Sequence, residues 1–241
     1  MPNPTAAMLV IGDEILSGRT RDANMYHLAG VLTEAGIDLR EVRVVRDAKD
    51  AIVAAVQVLS GSYRYVFTSG GIGQTHDDIT ADCIAAAFGR TIDVREDARA
   101  LLAAHYAKSG TDLNAARLRM ARIPEGATLI ENPVSVAPGF VVENVYVMAG
   151  VPSVFRAMVE SILPLLAGGA PLVSRTLQVD RGEGDIAGSL SDLAERYPAL
   201  SMGSYPFQKK NGQYGANIVI RGSDGDAVQR AMQELSAALD P

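Results

Sequence analysis

Short apolar runs alternate with stretches in which apolar residues recur every three or four positions, the pattern of strands and helices following one another in βαβ units. Ala7-Met8-Leu9-Val10-Ile11 predicts the first strand. Leu28, Val31, Leu32 and Ala35 predict a helix that stops at Gly36, a residue able to turn left-handed past a helix end. Val42-Arg43-Val44-Val45 predicts the second strand, and Ile52, Ala55, Val56 and Leu59 the next helix. Tyr63-Arg64-Tyr65-Val66-Phe67 then predicts a third strand, and Ile84, Ala87 and Phe88 a helix face closed by Gly89. Ala98, Leu101, Leu102 and His105 extend a helix to Gly110, and residues 115–121 form a shorter one before Pro124 interrupts it.

The rhythm then changes. Thr128-Leu129-Ile130, Phe140-Val141-Val142 and Val145-Tyr146-Val147-Met148 are closely spaced strands, with Glu143-Asn144 as a hairpin turn. A helix over 152–166 ends at Gly168-Gly169-Ala170-Pro171, which marks a domain boundary. Beyond it the pattern predicts β-α-β-β-α. The expected architecture is α/β: a three-layer, doubly wound, mostly parallel sheet over residues 1–170, then a small α+β module over 171–241.

At 241 residues and 48% hydrophobic content the chain can bury a sizeable core. A net charge of -6 provides no basic field for nucleic acid, which is not expected as a partner. Cys83 sits in an apolar run and reads as a small buried hydrophobe. No signal-like start and no membrane-length apolar run is present, so a cytoplasmic protein without membrane contact is expected.

In such sheets ligands gather beyond the carboxyl ends of the strands. Four segments there carry chemistry: Gly12-Asp13-Glu14-Ile15-Leu16-Ser17-Gly18, Arg46-Asp47, residues 68–80, and Ala149-Gly150-Val151-Pro152. All four are expected at one rim. In the third, Gly70, Gly71 and Gly73 allow backbone N–H groups to turn toward phosphate oxygens, with Thr68, Ser69 and Thr75 as hydroxyl donors. Asp77 and Asp78, with Asp13, Glu14 and Asp47 nearby, would repel a phosphate unless a divalent cation bridges the two. The bland alternative is a common Gly-rich turn with acids capping a helix. His27 and His105 read as ordinary helix residues, His76 as a loop residue within reach of a ligand, and Lys209-Lys210-Asn211-Gly212 as an exposed turn.

Ile11-Gly12-Asp13-Glu14-Ile15-Leu16-Ser17-Gly18, Asp22 and Asn24, the run from Thr68 to Thr80, Asn132, Ala137-Pro138-Gly139-Phe140 and Gly150-Val151-Pro152 resemble, in order and spacing, the motifs of the molybdopterin-binding family. The branch is that of the N-terminal region of CinA, whose small KH-like module resembles the segment from Thr176 through Gly203-Ser204-Tyr205-Pro206. The resemblance implies a small phosphorylated ligand, either a nucleotide diphosphate or molybdopterin. It assigns functional aspartates to Asp47 and Asp78, and ligand contacts to Gly12, Asp13, Glu14, Ser17, Asn24, Thr68, Ser69, Gly70, Gly71, Gly73, Thr75, Pro138, Gly139, Gly150 and Pro152. The double acid Asp77-Asp78 favours members that hydrolyse ADP-ribose or FAD with Mg²⁺, Mn²⁺ or Co²⁺, the metal being held by Asp47, Asp77 and Asp78. Binding of molybdopterin or a nucleotide without turnover is the alternative. Gln74, Met148-Ala149 and Val134-Ser135-Val136 depart from the usual Pro, Leu-Pro and Gly-Thr. The amidase domain of full-length CinA proteins has no counterpart before Pro241, so that activity is expected to be missing. Dimers and trimers occur among relatives. A homodimer or homotrimer is expected, with the apolar hairpin at residues 140–148 near its interface.

Overall fold

A computed structural model describes residues 2–209 and 212–239. The chain forms two compact units, 1–169 and 170–241. The first unit runs β1 (Thr5–Ile11), α1 (Asp13–Leu16), α2 (Asn24–Glu34), β2 (Asp38–Val45), α3 (Lys49–Ser62), β3 (Tyr65–Ser69), α4 (Thr80–Ala87), β4 (Ile92–Val94), α5 (Glu96–Ser109), α6 (Ala115–Leu118), β5 (Arg122–Pro124), β6 (Thr128–Ile130), β7 (Gly139–Val142), β8 (Val145–Met148) and α7 (Pro152–Ile162).

Its main sheet has the order β2-β1-β3-β8-β7-β6. The first four strands are parallel; β7 pairs antiparallel with both β8 and β6 and is the one strand of this sheet that runs the other way. β1 and β3 lie centrally, and side chains alternate between two cores, so both parities must be apolar. Ala7, Leu9 and Ile11 pack with Ile52, Val56, Leu59, Ile84 and Leu102 from α3, α4 and α5. Ala6, Met8 and Val10 pack on the other face with Leu28 and Leu32 of α2 and Phe155, Met158 and Ile162 of α7. That is the expected three-layer arrangement.

Three expectations need correction. β3 begins at Tyr65 rather than Tyr63, whose backbone N–H still closes the last turn of α3 on Leu59 O at 3.0 Å. Pro124 does not merely interrupt a helix: it ends β5, which pairs with β4 in a separate two-stranded sheet. The β7–β8 hairpin lies inside the sheet, β8 pairing in parallel with β3, and Phe140, Val142, Val145, Val147 and Met148 are buried. The hairpin therefore leaves no bare apolar edge for a partner to cover, and the physical motive for an interface there falls. Glu143 takes φ 53 in its turn without glycine's help.

The second unit runs β9 (Val173–Val179), α8 (Glu183–Arg196), β10 (Ser201–Gln208), β11 (Tyr214–Gly222) and α9 (Gly225–Leu239). Its antiparallel sheet has the order β10-β11-β9. One face carries Ala216, Ile218 and Ile220 of β11 against Ile186 and Leu193 of α8 and Val228, Ala231 and Leu235 of α9. Of the expected turn at residues 209–212, positions 210 and 211 lie outside the described residues. The Lys209 ammonium is paired with Asp180 at 2.6 Å rather than fully exposed. No helix among the described residues is long and apolar enough to cross a membrane.

Candidate functional site

The chain leaving β3 cannot continue straight, because it must turn into α4. Gly70 takes φ +110 and Gly71 φ +70; a Cβ on Gly70 would stand 2.2 Å from Ile11 O and one on Gly71 2.1 Å from Thr80 Oγ1. Glycine is therefore required by backbone angle and by space. Buried Thr80 ties the turn to the helix, its hydroxyl donating to Gly70 O at 3.0 Å and its N–H to Gly71 O at 2.9 Å. The N–H groups of Gly71, Ile72 and Gly73 find no acceptor among the described residues, leaving three donors for an incoming oxygen.

These glycines form one wall of a cavity of about 500 Å³. It collects Glu14 from beyond β1, Asp47 from beyond β2, Gly70, Gly71, Gly73, Asp77 and Asp78 from beyond β3, and Gly150, Val151 and Pro152 from beyond β8. Asn132, Ser135 and Ala137, between β6 and β7, join the lining with Thr20 and Met120. Four carboxylates border the cavity, and among the described residues its lining includes no Lys, Arg or His. Desolvation, with repulsion from Glu14, Asp13 and Asp77, raises the Asp47 carboxyl above its ordinary value, against the pull of the Asp13 N–H that it accepts at 2.9 Å. Asp78 Oδ2 accepts from both the N–H and the hydroxyl of Thr75, at 2.8 and 2.6 Å. This leaves Oδ1 as the less committed oxygen.

Other expected contacts lie outside this lining. Gly12 sits beneath the Glu14 carboxylate, which a Cβ there would push aside, and the Asp13 side chain faces Arg46 at 3.7 Å. The Ser17 hydroxyl donates to Glu14 O at 3.3 Å. Asn24 is buried and acts as a strut, its Nδ2 donating to Ser69 Oγ and Gly150 O, both at 2.8 Å. Thr68 is fully buried in β3. Thr75 spends its donors on Asp78. Pro138 borders a separate narrow recess with Gly73, Asp78, Arg119 and Arg122. Gly139 is buried in β7, where a Cβ would stand 2.4 Å from Val147 O, so its role is packing. His76 is almost fully exposed, 3.9 Å from Asp77.

Asp47, Asp77 and Asp78 do not by themselves make a metal cage: among the described residues no group of three or more His, Cys, Asp or Glu is placed to hold an ion. The arrangement instead suits a cation that takes one or two carboxylates and completes its shell with ligand oxygens, as Mg²⁺ does.

Residues that sequence reasoning passed over include Thr80, whose place beside the glycines was visible, and Arg119. The Arg119 Nη2 donates to Asp78 O at 3.1 Å, bracing the acid loop from 41 positions away. No local spacing announces such a contact. Cys83 is buried, and burial pushes its thiol up to about 11, in keeping with a packing role.

The model of the family described as "Probable molybdopterin binding domain" matches residues 7–168. The chain belongs to the molybdopterin-binding family. A second model, the middle domain of FAD synthase, matches residues 171–241. Within the family, a protein of Aeropyrum pernix is 39% identical over 174 residues, covering 70% of this chain and 65% of its own length. A Caenorhabditis elegans protein named "Probable FAD synthase" is 31% identical over 260 residues; it covers 98% of this chain, which spans 50% of that protein. The crystal structure of CinA from Thermoplasma acidophilum, described as of unknown function, matches with a TM-score of 0.61 at 36% identity, covering 66% of this chain and 95% of that one. The motifs that frame the cavity lie within the residues matched by the molybdopterin-binding family model.

Proposed function

We propose that the protein is a metal-dependent nucleotide pyrophosphatase acting on ADP-ribose or FAD. The observation that carries this reading is one cavity joining three free backbone donors to four carboxylates. The donors suit diphosphate oxygens. The carboxylates suit the charge of a divalent cation, and the burial and neighbouring acids that raise the Asp47 carboxyl are what a bound cation offsets. When bound, Mg²⁺, Mn²⁺ or Co²⁺ supplies charge neutralisation to the diphosphate. Asp47 and Asp78 orient the reacting groups, and Gly71, Ile72 and Gly73 hold phosphate oxygens. One water adds across the P–O–P bond: ADP-ribose gives AMP and ribose 5-phosphate, and FAD gives AMP and FMN.

Purified protein with each metal and either compound is expected to release AMP, with release abolished by a chelator. Asp47→Asn and Asp78→Asn are each expected to lower the rate by about 10²-fold or more. No AMP from either compound under any of the three metals would refute the activity. The absence of a ready three-ligand group among the described residues supports a second reading, in which molybdopterin or a nucleotide is held without turnover. Calorimetry showing tight pterin binding without hydrolysis would select it.

A further inference from the structure

The segment between β6 and β7 lines the same cavity as the glycines and carboxylates. Asn132, only 6% exposed, organises it. Its Nδ2 donates to Ser135 Oγ at 2.6 Å and Ala137 O at 2.8 Å. Its Oδ1 accepts the N–H groups of Val134 and Ser135, both at 3.1 Å. Both amide protons and both lone pairs are thereby used, so the amide has one orientation and no slack. Backbone bonds from Val136 N–H to Asn132 O at 3.0 Å and from Ala137 N–H to Ser135 O at 2.8 Å close the turn.

Two consequences follow from this closure. Val136 is held at φ 66, a left-handed conformation that a β-branched residue adopts only where its surroundings impose it. The Ser135 oxygen is already an acceptor for Asn132, so its own proton points elsewhere. Ser135 is exposed and lines the cavity, and that proton meets no acceptor among the described residues. In a cavity bordered by four carboxylates, a neutral donor whose oxygen is held in place by Asn132 is a fit partner for a ligand oxygen that the acids would repel.

We propose that Ser135 is a ligand-binding and specificity-determining residue, its hydroxyl donating to a phosphate or ribose oxygen of a nucleoside diphosphate, with Asn132 as the positioning residue that aims it. The proposal rests on the pyrophosphatase reading for its ligand. Its test compares the whole chain with Ser135→Ala, Ser135→Thr and Asn132→Asp, using ADP-ribose as the probe. Calorimetry with Ca²⁺ as the bridging cation reads binding, and AMP release with Mn²⁺ reads turnover.

Removing one donor to a charged acceptor is expected to weaken ADP-ribose binding about tenfold and raise KM in Ser135→Ala, with kcat changed less than about twofold. Ser135→Thr, which keeps the hydroxyl, is expected to restore affinity. Asn132→Asp, which keeps the Oδ1 acceptor and loses the Nδ2 donor, is expected to weaken binding without further loss when combined with Ser135→Ala. Should the wild type bind ADP-ribose but release no AMP, the pyrophosphatase reading fails while weaker binding by Ser135→Ala still supports the hydroxyl's role. Equal affinity of wild type and Ser135→Ala, or no ADP-ribose binding by the wild type, would overturn it.

Discussion

The two units solve the same problem, covering a sheet, in different ways. In the first, β1 is buried at every position from Ala6 to Ile11, because helices lie on both faces. In the second, β9 buries no residue fully, and Ser174, Thr176 and Gln178 are exposed while Leu177 and Val179 turn toward the core. A sheet buried on both faces leaves its strand ends as the place where loops meet solvent, and there the first unit gathers its glycines and acids.

The comparison predicts that parity along a strand matters in one unit and not in the other. Met8→Ala and Leu9→Ala, adjacent residues on opposite faces of β1, are each expected to cost about 2–5 kcal/mol in urea unfolding. If either falls near zero, one face of that sheet is not packed. In the second unit Thr176→Ala, on the open face of β9, is expected to stay within about 0.5 kcal/mol, read by the hydrogen exchange of β9 to β11 amides. A large loss there would mean that this face is covered too.

The smallest effect belongs to the rim. The folded-state carboxyl of Asp47 sits above the unfolded value of 3.8, so the folded protein binds more protons between the two values. Its charge therefore disfavours folding above the raised value, and the penalty fades as the pH falls through it. Asp47→Asn, measured without metal, is expected to raise Tm by about 1–2 °C at pH 7 and by less near pH 4. A stabilisation that instead grows on acidification would contradict a carboxyl raised by burial and by the neighbouring Glu14, Asp13 and Asp77.

Much of this was legible because apolar runs on central strands have few alternative explanations. β1 and the helices carrying Leu28, Leu32, Ile52 and Leu59 lie where periodicity put them. The edge strand β2 was read only over its last half, since Arg40 and Glu41 break its apolar pattern as charges on edge strands commonly do. The three-residue strands β4 and β5 are too short to carry a period. Within the site, the glycine turn and the acids beside it were legible as a local motif, whereas Ser17 and Gly139 belong to the same motifs without reaching the cavity.

The sequence by itself determined the alternation of elements, the boundary near Gly168-Gly169 and the turn at Gly70-Gly71, because each depends on neighbours a few residues away: a repeat of buried positions, or a backbone angle open to glycine. Tertiary structure alone decided that the β7–β8 hairpin enters the sheet beside β3, that Asn24 spans to Ser69 and Gly150, that Arg119 braces Asp78, and that Ser135 lines the same cavity as the acids. Those contacts join positions far apart in the chain. Their directions are set by how the strands align, which no local pattern encodes.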